Sequence, residues 1–201
     1  MDPFKTHIGK AIIIDRANID TDQIIPKEHL KTIKRSGFST ALFSDWRYQE
    51  NGEENANFEL NNPLGKKSSF LITGNNFGCG SSREHAVWAL KQYGFHVIVA
   101  PSFADIFKTN ALKNGLLLIE LPSDDLRKLK QTLSLNPAQE VEIDLNNQWV
   151  KLENLTINFC IDAISKERLI KGLDDINITL KQEHAIAVFE KKHDTQLKKA
   201  T

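Results

Sequence analysis

The hydrophobic positions follow one pattern in the middle of the chain, and this pattern predicts a parallel core. Between residues 68 and 121, short and almost entirely apolar runs alternate with longer amphipathic stretches. Nearly continuous apolar runs are typical of strands that are covered on both faces. A strand–helix–strand–helix–strand order at this spacing predicts a right-handed βαβαβ unit. The predicted strands cover residues 69–73, 95–100 and 116–121, and the predicted helices cover 84–93 and 102–115.

A different pattern begins after a further predicted helix at 124–133. Apolar and polar residues alternate strictly from Glu140 to Leu145, and Asn146-Asn147 is typical of a tight turn. Alternation of this kind predicts antiparallel strands, here at 140–145, 148–153 and 155–161. Two helices, at 165–171 and 175–192, are predicted to follow, with a frayed tail at 196–201. The fold class is therefore α/β, with a parallel βαβαβ core and additional antiparallel strands.

The N-terminal third shows the least regular pattern. Residues 11–14 predict a short strand, which is followed by a polar turn at 15–22. Residues 27–66 are basic at first and then rich in Asn and Glu, so we expect a long, mobile loop with short helices that buries little apolar surface. Loops of this length are usually functional or disordered. Residues 1–201 are expected to form a single domain.

Composition narrows the class of protein without naming a function. The 201 residues carry 26% charged and 40% hydrophobic side chains and a formal net charge of zero, as an ordinary globular domain does. This balance gives no electrostatic reason to bind nucleic acid or an anionic membrane. No apolar run could span a bilayer, and the N-terminus lacks the apolar core of a signal peptide. With two cysteines the chain cannot hold an iron–sulfur cluster alone, and we expect it in the cytoplasm.

The main candidate for chemistry is a glycine-rich loop between the first predicted strand of the core and its helix. It reads Gly-Cys-Gly-Ser-Ser-Arg-Glu-His from Gly78 to His85. The P-loop pattern fails because Ser81 stands where a lysine should follow Gly80. The dinucleotide pattern fails at Arg83, and the nucleophile elbow fails because Glu84 occupies its last position.

Two interpretations of this loop remain open from the residues alone. Ser81 and Glu84 have the spacing of a capping box, which would place Ser81 at the N-cap of the helix. Alternatively, the free amides at the helix start and the guanidinium of Arg83 would bind a carboxylate or phosphate, while the glycines let a ligand approach the backbone. The helix-cap interpretation explains Ser81 and Glu84 but does not explain Ser82, Arg83 and the glycines.

The loop also resembles a known signature. Residues 78–86 resemble the G-x-G-S-S-R-E-H-A motif of the aconitase superfamily's swivelling domain. Segments 18–26 and 100–117 resemble that domain in the same order, and at this length the chain is similar to the small subunits of bacterial 3-isopropylmalate dehydratases. Leu118 departs from relatives that have Pro after the two leucines, in a strand position. The resemblance implies a three-layer β/β/α swivelling domain.

The resemblance further implies a hydro-lyase that isomerises a hydroxy-acid by removing water and adding it back. A 4Fe-4S cluster would be held by the large subunit, which is the implied partner, and this chain would bind no metal. Ser81 would be the catalytic base and Asp22 would orient it. Ser82 and Arg83 would bind one carboxylate of a small dicarboxylate substrate, and Arg35, or Lys34 in a register shifted by one, would bind the other.

Other residues of the loop have simpler expected roles. Gly78, Gly80 and Glu84 would support the loop and the cap, and His85 is expected to pack rather than react. The leading function is the isomerisation of 2- and 3-isopropylmalate in leucine biosynthesis. The alternatives are a related homoaconitase or methylmalate-type hydro-lyase, and a non-catalytic anion-binding module.

Overall fold

The computed structural model describes residues 1–31, 36–81, 83–180 and 182–200. This part of the chain contains the strands β1 Thr6–Ile14, β2 Ser68–Thr73, β3 Val97–Ala100, β4 Leu117–Glu120, β5 Val141–Asp144, β6 Trp149–Leu152 and β7 Leu155–Asn158. They form one sheet in the order β4-β3-β2-β1-β5-β6-β7. The α/β class and the mixed parallel and antiparallel sheet are confirmed.

Helices connect and cover these strands. They are α1 Thr21–Ile24, α2 Ser44–Arg47, α3 Glu84–Tyr93, α4 Asp105–Asn114, α5 Ser123–Leu135, α6 Ala163–Lys171, α7 Asp175–Leu180 and α8 Glu183–Ala200. Short 3-10 helices cover Lys27–Lys31, Glu59–Asn61 and Gly65–Lys67. In the described part of the chain, no helix combines the length and the apolar character needed to cross a membrane.

The strand β1 joins the two halves of the sheet. Its first residues pair antiparallel with β5, from Thr6 opposite Asp144 to Gly9 opposite Val141. Its last residues pair parallel with β2, and the register shifts between Lys10 and Ala11. The strands β2, β3 and β4 continue the parallel half, with α3 and α4 as their connections, so the predicted βαβαβ unit is confirmed.

Two buried clusters divide the apolar side chains between the faces of the sheet. One cluster contains α1, α3 and α4 together with the 38–60 region. The other contains residues of the parallel strands, of β5–β7 and of α5. Because the second cluster draws on both halves of the sheet, the antiparallel strands enclose the same core as the parallel ones. Burial of a large apolar side chain contributes about 1.5–3 kcal/mol, so each cluster holds its layers together.

The expectation for residues 27–66 is partly wrong. The short helices are present, but the segment buries more apolar surface than its composition indicated. Its side chains Phe38, Ala41, Leu42, Phe43, Phe58 and Leu60 are all at most 2% exposed. Ala41, Leu42 and Phe43 are adjacent, and the other three are single apolar residues between polar residues or glycine, so the average polarity of the whole segment hides them.

The C-terminal prediction also needs correction. The predicted helix at 175–192 is two helices, α7 and α8, and the backbone stays helical through Ala200 where we expected a frayed tail from residue 196. No Gly or Pro follows Gly172, and the last residues are good helix formers such as Lys, Gln, Leu and Ala. Nothing in the sequence therefore terminates the last helix early.

Candidate active site

The site is assembled at the carboxyl edge of β1 and β2. Because these strands are parallel neighbours, the segments that follow them leave the sheet side by side. Gly78 N donates to the carbonyl of Ile19 at 2.8 Å, and Thr21 N donates to the carbonyl of Cys79 at 2.9 Å. The hydroxyl of Thr21 donates to the carbonyl of Ser81 at 2.7 Å. These bonds bring the loop and α1 together across about sixty residues of sequence.

A capping box that the sequence reasoning missed fixes the start of α1. The carboxylate of Asp20 accepts from Gln23 N at 2.7 Å, and the side chain of Gln23 accepts from Asp20 N at 3.0 Å. The signal was present in the sequence as Asp-x-x-Gln. The box sets the direction of the first turn, and Asp22 lies in that turn.

Asp22 and Arg83 form an ion pair across the two segments. A terminal nitrogen of the guanidinium, Nη1, donates to Oδ1 of Asp22. The side chain of Arg83 is 15% exposed, whereas that of Asp22 is 39% exposed. The guanidinium is therefore held in place and largely enclosed before any ligand arrives.

Ser81 does not cap the helix, so this part of the prediction is wrong. The residue that precedes α3 is Arg83, in an extended conformation and without a side-chain capping bond. Ser81 lies two residues further from the helix, its side chain is exposed, and its carbonyl is held by Thr21. The predicted partner Glu84 is also engaged elsewhere, since its carboxylate accepts from the side chain of Asn114 at 2.8 Å.

Glu84 and His85 both make packing contacts on the side of α3. Asn114 links Glu84 to Trp88, whose indole N–H donates to Asn114 at 3.0 Å. The ring of His85 lies 4.6 Å from that of Trp88 and 5.4 Å from that of Phe38, measured between ring centroids. Support of α3 therefore accounts for the contacts of both side chains.

The two glycines of the loop meet different constraints. Both have positive φ, +75° at Gly78 and +85° at Gly80, which side chains rarely adopt. A Cβ at Gly78 would also lie 2.3 Å from the ring of Phe107, whereas a Cβ at Gly80 would lie 3.3 Å from the Cβ of Asp20. The ring of Phe107 therefore packs directly against the backbone of the loop at Gly78. The sequence did not indicate this contact.

A cavity of about 250 Å³ opens beside the loop. Ser81 and Arg83 line it, and the first turns of α4 contribute Asp105, Ile106, Phe107 and Asn110. The cavity thus has a hydroxyl, a fixed cation and an apolar surface within one small volume. This combination suits a small anionic ligand with an apolar substituent.

The cysteine of the loop has no features of a metal ligand. Burial, with a smaller contribution from the charge of Asp20, raises the pKa of the Cys79 thiol, whereas ligation requires the thiolate. Across the described residues, no group of three or more His, Cys, Asp or Glu side chains is placed to hold a metal ion. Cys79 and Cys160 are both free.

Three residues of the predicted site lie outside the described residues. They are Ser82 in the glycine-rich loop, and Arg35 with its alternative Lys34. The structure pairs Asp22 with Arg83 and places Arg83 and Ser81 at one cavity, and the roles of all six residues stay predictions.

Comparison with known proteins identifies the family. A family model described as the aconitase C-terminal domain matches residues 1–124. The 3-isopropylmalate dehydratase small subunit of Shouchella clausii is 51% identical over 94% of this chain and 96% of its own length. The small subunit of Bacillus subtilis is 50% identical over 98% of this chain and 99% of its own length.

A solved structure agrees with the sequence relatives. The crystal structure of a 3-isopropylmalate dehydratase from Methanocaldococcus jannaschii has a TM-score of 0.63 and 27% identity. The match covers 92% of this chain and 99% of the chain in that structure. The family model, the relatives that are about 50% identical over nearly the whole chain and the solved structure all agree. The chain therefore belongs to the family of 3-isopropylmalate dehydratase small subunits and carries the aconitase-type swivelling domain.

Proposed function

We propose that this chain is the small subunit of a two-chain hydro-lyase that interconverts 2- and 3-isopropylmalate through 2-isopropylmaleate, the second step of leucine biosynthesis. The observation that carries the proposal is that Ser81 and Arg83 line one small cavity, with Asp22 paired to Arg83, in a chain of this family. The two free thiols suit a reducing compartment, and we place the enzyme in the cytoplasm.

Ser81 is the proposed base. It takes the proton from the carbon next to a substrate carboxylate and returns it during rehydration. Its side chain is exposed, and its backbone is held by Thr21, so the hydroxyl is presented from a fixed position. The cation of Arg83, on the same cavity wall, lowers the cost of forming the alkoxide. Positioned proton transfer contributes about 10²–10⁴-fold to a rate.

Arg83 is the proposed carboxylate anchor, and Ser82 is proposed to bind the same group. The guanidinium is a planar fork that matches a carboxylate with two parallel hydrogen bonds. Asp22 holds that fork in the free chain through one terminal nitrogen. A second anchor for the other carboxylate is assigned to Arg35, with Lys34 as the alternative.

The residues of this chain do not fit an iron–sulfur cluster, since its loop thiol favours the protonated form and three cysteine ligands are needed. We assign the 4Fe-4S cluster to the large subunit, where it would supply the Lewis acid for the departing hydroxyl. The isolated small subunit should therefore be colourless after anaerobic reconstitution with iron and sulfide.

The decisive experiment is turnover after mixing this chain with its large subunit. We expect activity on isopropylmalate and much less on citrate or homocitrate. Ser81→Ala in this complex should lower kcat by at least about 10²-fold, while substrate still binds. Because Ser81 is not the helix cap, the same variant should melt within about 1 °C of the wild type.

Cys79→Ser provides a matched control in the same loop, and we expect it to retain activity within about threefold. Preference for homocitrate would transfer the proposal to a related hydro-lyase. Near-normal turnover by Ser81→Ala would remove Ser81 from the chemistry.

A further inference from the structure

The helix α4 contributes a wall of the cavity that no proposed role uses. Ile106 and Asn110 both line it, together with Ser81 and Arg83. They stand four residues apart, so they lie on the same face of the helix. Asn114, four residues further on, bonds with Glu84 and Trp88 of α3, which shows that this face of α4 is turned toward α3 and the site.

Neither side chain is needed to hold α4 in place. The neighbouring positions Phe107 and Ala111 are buried in the core, whereas Ile106 is 54% exposed. Asn110 accepts a hydrogen bond through its backbone carbonyl from Asn114, but within the described residues its side chain makes none. An exposed aliphatic group and an uncommitted amide thus stand together at the cavity.

The substrate class requires two kinds of contact. A dicarboxylate with a branched alkyl group presents oxygens that accept hydrogen bonds and an apolar group that must leave water. Arg83 and Ser81, which both line the cavity, serve the first requirement. Among the residues that line this cavity, the exposed aliphatic side chain of Ile106 is placed to serve the second.

We propose that Ile106 determines substrate specificity by contacting the branched alkyl group, and that Asn110 donates a hydrogen bond from its amide to a neighbouring substrate oxygen. This proposal rests on the proposed function and adds to it the residues that select the alkyl group of the substrate. Recognition is then divided between the loop, which binds the anionic end, and α4, which binds the substituent.

The test uses the complex of this chain with its large subunit and two substrates that differ only in the alkyl group, 3-isopropylmalate and 3-methylmalate. Ile106→Ala should lower kcat/KM for isopropylmalate about 10- to 100-fold, because lost apolar contacts in a pocket have this size. The value for methylmalate should change less than about threefold. Ile8→Ala removes an isoleucine of similar exposure, 57%, from β1, and both substrates should keep their wild-type values.

Asn110 is tested in the same complex. Asn110→Ala should lower kcat/KM for both substrates by about three- to tenfold, since it removes one hydrogen bond. Asn110→Asp should lower it more than 30-fold, because a carboxylate would face the substrate's own charge.

The possible outcomes separate this proposal from the proposed function. If the wild-type complex fails to convert isopropylmalate, the proposed function is wrong. If it converts isopropylmalate but Ile106→Ala lowers both substrates equally, or weakens binding to the large subunit instead, Ile106 is a docking residue and the specificity role is wrong. An Asn110→Asp variant with wild-type kinetics would contradict the hydrogen bond.

Discussion

At the scale of single residues, the loop depends on contacts that its own sequence does not show. The glycine-serine-arginine run resembles a helix cap, yet Thr21 holds its backbone and Phe107 packs beneath it. Both contacts come from segments distant in sequence. The positions of Ser81 and Arg83 are therefore set by neighbours that pattern reading along one stretch could not identify.

The two constraints on Gly78 can be separated by experiment. Gly78→Ala meets both a positive φ and the ring of Phe107, whereas Gly52→Ala meets a positive φ of +82° with nothing within 4 Å. We expect Gly52→Ala to lower the free energy of unfolding by about 1 kcal/mol and Gly78→Ala by about 2–4 kcal/mol. Urea denaturation measures both changes. Equal losses of unfolding free energy would mean that the ring of Phe107 moves aside without a measurable energetic cost.

Arg83 and Asp22 should differ in what they contribute. Arg83→Lys keeps the charge but loses the planar fork, so KM should rise about tenfold or more and kcat should fall. Asp22→Asn removes an ion pair that is partly exposed, so the unfolding free energy should change by less than about 1 kcal/mol.

The matching measurements are steady-state kinetics of the reconstituted complex and urea denaturation of the free chain. If Asp22→Asn destabilised the chain by several kcal/mol, the pair would be structural rather than a means of presenting Arg83.

At the scale of elements, the segment from Phe38 to Asn61 should be firmly structured without a partner. Phe43 N donates to the carbonyl of Ile24 and Asn55 N to that of Arg47, and both bonds sit beside buried side chains. Hydrogen exchange of the free chain should show these amides protected at least about 10³-fold. The amide of Glu50, which is exposed in the same region and donates no hydrogen bond within the described residues, provides the internal reference for rapid exchange. Rapid exchange at Phe43 would restore the expectation of a mobile loop.

The helices and strands show which parts of the fold the hydrophobic pattern predicts and which it does not. Helix α3 has the predicted bounds. The strands β2 to β7 were found because burial on both faces leaves a continuous apolar run and burial on one face leaves an alternating pattern. The first half of β1 was missed, since Thr6 to Lys10 carries exposed and polar residues at an antiparallel pairing. The cap at Ser81 was misassigned because its register depends on α1, which is distant in sequence.

The site was predictable only where a motif carried it. Ser81 and Arg83 were named from the signature at 78–86 and Asp22 from segment 18–26, and the structure pairs Asp22 with Arg83 and places Arg83 and Ser81 at one cavity. Ile106 and Asn110 lie in segment 100–117, which also resembles the domain, but that resemblance assigned them no role, and their position at the cavity follows from how α4 packs on α3. Tertiary packing of this kind has no local sequence signal.

At the scale of the whole molecule, pH should act on stability through His7, which lies on β1 where the two halves of the sheet meet. Burial, with a smaller contribution from the charge of His96, lowers its pKa from 6.5 to about 4. Its ring stacks on His96 at 4.5 Å and contacts the hydroxyl of Ser69 at 2.7 Å. The unfolded chain therefore binds a proton near pH 6.5 that the folded chain does not bind until about pH 4.

The contribution of His7 to the free energy of unfolding is therefore fully present above pH 6.5 and is lost as the pH decreases toward 4. We expect the contribution to be about 1–2 kcal/mol, reduced from the full shift because the ring is only half-buried. His7→Phe keeps a ring at this position and removes the titration. The difference in unfolding free energy between wild type and this variant, measured from pH 7 to pH 4, should change by that amount. A constant difference would show that His7 does not contribute.

The division of β1 between two partners has a consequence for how the chain is made. Its parallel partner β2 is complete by residue 73, but its antiparallel partner begins only at Val141. During synthesis on the ribosome, the edge of β1 from Thr6 to Gly9 must wait for more than a hundred further residues before it is paired. Unpaired strand edges recruit other chains. This segment is made well before its partner and is thus among the last to be covered, and a fragment cut at residue 124, where the match to the family domain ends, would keep that edge open.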